Sequence, residues 1–186
     1  MFTQFSKMTL MSFVFAFGGY HVTASAQAVA PSDGEIVEIL KTANDSEIDA
    51  AKLAKKRAEN PEVKDYAQMM LDQHEMTNKQ SKKISKEENI KKKSNDMAKA
   101  LKDESKTKIS DLKKKKGTEF DRSYMEQQVT MHQQLLNELD QTLIPSAQNI
   151  GLKTFLQSTR DHIQEHLTKA QSIQANLGGS STTTTE

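Results

Sequence analysis

Apolar residues recur at spacings of three and four in four separate stretches, and that repeat commits the chain to long amphipathic helices. Ile36, Leu40, Ala43, Glu47, Ala50, Ala54 and Ala58 share one face of the first stretch, and Val63, Ala67, Met70, His74, Thr77 and Ile84 share one face of the second. The third runs through Phe120, Tyr124, Gln128, Met131, Leu135, Leu139 and Leu143, with His132 at its edge. The fourth runs through Leu152, Leu156, Thr159, Ile163, His166, Ala170, Ile173 and Leu177, with His162 one turn before His166 and slightly off centre. Aromatic residues make up 5% of the chain and tryptophan is absent, so the core must come from Leu, Ile, Met and Ala. Such residues suit close-packed helices better than a sheet. The predicted fold is all-α, a four-helix bundle of two antiparallel hairpins.

Local signals set the boundaries. Ser32 with Glu35 forms a capping-box pattern that starts the first helix near Asp33. Asn60 before Pro61 caps the second, so the first ends near Glu59 and the short turn makes the two a hairpin. From Asp96 to Lys115 a weaker helical spacing returns through Met97, Leu101, Ile109 and Leu112. This is expected to be an extra crossover helix between the second and third long helices, on the outside of the bundle. Gly117 should end it as a left-handed cap, Thr118 with Asp121 should start the third long helix, and Pro145 and Gly151 mark the last connection.

Three segments follow. Lys7, the apolar run from Met8 to Phe17, and the sites Ala24-Ser25-Ala26 and Ala26-Gln27-Ala28 read as a secretory signal over residues 1–28. The expected location is therefore periplasmic or secreted, with residues 29–177 as one domain and 178–186, rich in Gly, Ser and Thr, as a disordered tail. No second apolar run is present, so no transmembrane helix is expected in the mature chain. With no cysteine, neither a disulfide framework nor a lipid-bearing cysteine is available.

The net charge of +1 hides 15 lysines against 6 acids between Lys79 and Lys116. Lysine is the usual residue of a solvated helix face. The stretch has no aromatic to stack a base and no arginine to fork onto phosphate, which argues against nucleic acid and leaves an anionic partner at 79–116 as the minor alternative.

Polar residues enter the apolar stripes at Glu47, His74, His132 and His166. Glu47 lies 13 residues before Asn60 and His74 lies 14 after it, so the two stand at one height in the first hairpin. Around Ser146, the counts favour His162 by level and His166 by face. Neutral imidazoles with a carboxylate suit a transition metal, with zinc, iron or copper as candidates. The competing reading is an envelope or stress-related interaction scaffold whose metal-free buried network has Glu47 accepting from the histidines. Asp72, two residues from His74, belongs to another face of its helix. No activated nucleophile and no phosphate loop is present, so binding is expected rather than catalysis, and no catalytic residue is assigned.

The segments Glu47 through Ala58, Asn60-Pro61-Glu62-Val63-Lys64, Ala67-Gln68-Met69-Met70, Asp72-Gln73-His74, Phe120-Asp121-Arg122-Ser123-Tyr124, Met131-His132-Gln133 and Glu165-His166-Leu167 with Ala170-Gln171 resemble an exported bacterial family of ferritin-like fold and no assigned activity, domain of unknown function 4142. The resemblance implies that Glu47, His74, His132 and His166 are its recurring polar positions, and so favours His166 over His162. It implies no reaction. The chain departs from relatives in the lysine content of its crossover, and it lacks the Glu-x-x-His pairs of carboxylate-rich two-metal sites.

Overall fold

A computed structural model describes residues 30–179. The expected signal segment and the chain after Gly179 lie outside the described residues. Among those described the chain is all-helical, without strands: α1 (Asp33–Arg57), α2 (Pro61–Glu87), α3 (Asp96–Lys114), α4 (Gly117–Glu138), a π-helical turn (Leu139–Leu143), α5 (Ile144–Ser146) and α6 (Ile150–Gly179). No helix there is long and apolar enough to cross a membrane. Gly178 and Gly179, expected in the tail, are the last residues of α6.

The caps that the sequence suggests at Ser32 and Asn60 are formed. The Ser32 amide donates to Glu35 Oε2 at 2.9 Å and its hydroxyl to the same oxygen at 2.7 Å. These bonds, with a contribution from Lys93, hold the Glu35 carboxyl down at about 2. Asn60 Oδ1 accepts from the amides of Glu62 and Val63, Asn95 Oδ1 from Ala98 and Asn149 Oδ1 from Leu152. The loop before α3 runs close over the first turn of α1. A Cβ at Gly34 would stand 2.2 Å from the Lys91 carbonyl oxygen, and the Lys93 amide donates to the Gly34 carbonyl at 2.9 Å.

Three boundaries depart from expectation. α1 stops at Arg57, whose guanidinium donates to the carbonyls of Lys113 and Lys115 at 2.6 Å each and ties the α1 end to the α3 end. Gly117 has the left-handed φ of +54° but opens α4. Asp121 does not cap that helix. Buried, it accepts from the backbone amides of Glu59 at 3.1 Å and Asn60 at 2.8 Å. The tight α1–α2 turn leaves these donors without helical partners, and a buried carboxylate is a strong acceptor for them.

α1 packs along α2 and α4 along α6, while α2 meets α6 and α1 meets α4. α3 rests mainly on α1 and buries only Ala98, Ser105 and Leu112. The core divides into two apolar clusters. One gathers Ala50 to Ala58 of α1, Val63 to Met70 of α2, Phe120 to Met125 of α4 and Ala170 to Leu177 of α6. The other gathers Ile36 to Leu40, Leu136 to Leu143 and Leu152 to Leu167. Between them in α1, α2 and α4 fall the buried polar residues Asn44, Glu47, His74, Gln128 and His132. His166 stands at the same boundary in α6.

Candidate metal centre

Helical register puts this polar layer together. His74 lies four residues beyond Met70 on the buried face of α2, His132 four beyond Gln128 on α4, and His166 four before Ala170 on α6. Their rings converge, with centroids 6.1 Å apart for His74 and His132 and 5.3 Å for each of the other two pairs. One nitrogen of each lies within 4.8 Å of the others. All three rings are buried, at 2%, 1% and 3% exposure.

One nitrogen of each ring is bonded and the other is not. His74 Nδ1 donates to Asn44 Oδ1 at 2.9 Å, His132 Nδ1 to the Gln128 carbonyl at 2.8 Å, and His166 Nε2 to Gln73 Oε1. A carbonyl oxygen can only accept, so each bond places the ring hydrogen on that side. The opposite atoms, His74 Nε2, His132 Nε2 and His166 Nδ1, keep their lone pairs, are buried and have no hydrogen-bond partner.

For His74 the assignment is anchored at the surface. Asp45 Oδ1 can only accept, so Asn78 turns its amide nitrogen to it at 2.9 Å. The Asn78 oxygen then accepts from Asn44 Nδ2 at 3.1 Å, which turns the Asn44 oxygen toward His74. Imidazoles held this way by outer hydrogen bonds present oriented, neutral nitrogen donors.

Electrostatics keep the His74 and His166 rings uncharged. Burial pushes His74 well below the ordinary imidazole value, and His132 and His166 add to the effect. Burial, then the nearby His132, His162 and Lys169, takes His166 to about 3. Glu47 stands beside this group and accepts from Gln128 Nε2 at 2.8 Å. Burial raises the Tyr66 and Tyr124 hydroxyl pKa values, and the Glu47 charge raises them further.

The structure therefore brings His74, His132 and His166 together, with Glu47 as their carboxylate neighbour through Gln128. Glu47 does not accept from the histidines, as the scaffold reading required. His162 is exposed, one turn before His166 on α6, and Asp72 lies at the surface accepting from Gln68. Sequence reasoning missed the oxygens that orient the rings, on Asn44, Gln73 and Gln128. Gln128 alone gave a signal, as a polar residue in the third apolar stripe.

The group fits a transition ion. Three atoms within 4.8 Å of one another would stand no more than about 2.8 Å from a common centre, within about 1 Å of a metal–imidazole bond length. Among the described residues no protein group pairs with these three nitrogens. Such a trio can hold a metal, and the protein is defined by it: a helical chain with a buried three-histidine centre. The profile of the family described as "Domain of unknown function (DUF4142)" matches residues 20–173, and the chain belongs to that family. No curated protein and no solved structure matches it.

Proposed function

We propose that the chain is an exported, periplasmic or secreted protein that binds one transition metal ion inside a ferritin-like bundle of its four long helices. His74 Nε2, His132 Nε2 and His166 Nδ1 are the ligands. Glu47 supplies the compensating carboxylate. One observation carries the reading: three buried imidazoles converge, and each has one nitrogen hydrogen-bonded and the other without a partner. A metal-free network would leave three acceptors unsatisfied, at about 1–3 kcal/mol each. Export rests on the N-terminal signal pattern. The donor set suits zinc, copper or iron, and its borderline nitrogen character disfavours magnesium and calcium.

The test is elemental analysis of untagged protein purified from the periplasm, followed by thermal unfolding with and without added zinc, copper or ferrous iron. Near-stoichiometric metal and a rise in Tm are expected, and His74→Ala should remove both. Metal-free protein whose Tm ignores all three ions, and which loses stability on His74→Ala, would establish the scaffold reading instead.

A further inference from the structure

A cavity of about 210 Å³ opens between α1, α3 and α4, and Glu47 and His132 form part of its lining. Ile39, Ala43, Met97, Leu101, Met131 and Leu135 make its apolar walls. Glu104, Ser105, Lys108, Gln134 and Glu138 supply the remaining polar groups. Lys108 is taken by Glu104 at 2.7 Å. Glu138 has a buried carboxylate oxygen without a hydrogen-bond partner. The same cavity is lined by His132, whose Nε2 is also buried and unpartnered.

We propose that this cavity is a ligand pocket of the histidine centre, admitting a small neutral azole or amine whose nitrogen reaches the metal while its apolar body lies along α3 and α4. The inference rests on the metal-binding reading above. Three histidines leave a tetrahedral ion with a fourth position, and a cavity lined by one of those histidines offers a way to it. The apolar walls select a hydrocarbon body. Charge selects against carboxylates, because three glutamates and a single, already paired lysine line the space. The free Glu138 oxygen offers an acceptor for a ligand N–H, which an azole has and a thioether or ketone lacks.

The experiment uses the full-length exported protein loaded with cobalt(II), whose visible spectrum reports its ligands. Titration with 4-phenylimidazole should change the spectrum saturably with cobalt retained, and phenylacetate should bind at least ten-fold more weakly. Leu101→Trp, which fills the cavity from α3, a helix that supplies none of the three histidines, should leave cobalt binding intact and weaken 4-phenylimidazole at least ten-fold. A cobalt-loaded protein whose spectrum ignores 4-phenylimidazole, or releases its cobalt to it, overturns the pocket and leaves the metal site standing. Equal binding by Leu101→Trp, or tighter binding of phenylacetate, also overturns it. Failure to take up cobalt at all removes the metal site and the pocket together.

Discussion

Asn44 and His74 meet across the α1–α2 interface at 2.9 Å, and the orientation of the first decides which nitrogen of the second is free. Asn44→Ala should therefore act on the metal through His74. Partners of this kind are worth about 10–100-fold in metal affinity. Isothermal titration with zinc should show a loss in that range with stoichiometry unchanged. Unchanged affinity would mean that the ring needs no help from Asn44.

Metal-free protein should lose stability as the pH falls from about 7 toward 5. In the unfolded chain His74 and His166 take up protons near 6.5, while in the folded chain both remain neutral there, His166 down to about 3. The unfolded state binds more protons across that window, so acid favours unfolding, by about 1.4 kcal/mol per pH unit for each fully contributing histidine. Urea unfolding in the presence of a chelator, at several pH values, measures it. The Glu35 carboxyl has the same sign over a lower window, from its ordinary 4.5 to about 2, so the two contributions separate. Flat stability between pH 7 and 5 would contradict the neutral rings.

Asp121→Ala should cost about 3 kcal/mol, because it strands the amides of Glu59 and Asn60 at the α1–α2 turn. The turn lies far along the helices from the histidines. Chemical denaturation should show the loss, and zinc affinity of the folded variant should stay within about three-fold of the parent.

α3 should exchange its amide hydrogens first. Only Ala98, Ser105 and Leu112 are buried on it, and its ion pairs, such as Lys106–Asp103 and Lys114–Asp111, are exposed and weak. Protection over Asp96–Lys114 equal to that over Pro61–Glu87 would contradict this reading.

What could be read from the chain followed the range of each interaction. Periodicity and caps are local, so the long helices, the Ser32–Glu35 box and the Asn60-Pro61 start were legible to within a few residues. Counting from Asn60 placed Glu47 and His74 at one level, since helical rise is regular. Between His162 and His166, level favoured the first and helix face the second, and only the family resemblance decided for His166. Asp121 misled because its spacing from Thr118 imitates a cap, whereas its partners are about 60 residues away. The ring-orienting oxygens were hidden for a similar reason. Asn44 and Gln73 belong to helix flanks that become interior only when neighbouring helices arrive.

The polar layer between the two apolar clusters also works as a vernier. Slide α2 past α1 or α6 by a turn, about 5.4 Å, and His74 or His166 meets alkyl groups while its partner oxygen on Asn44 or Gln73 is left facing hydrocarbon. Leucine and alanine alone would tolerate such a slip with modest loss. With the histidines in place one alignment is strongly preferred, so the residues that present the nitrogens also meter how the helices stack.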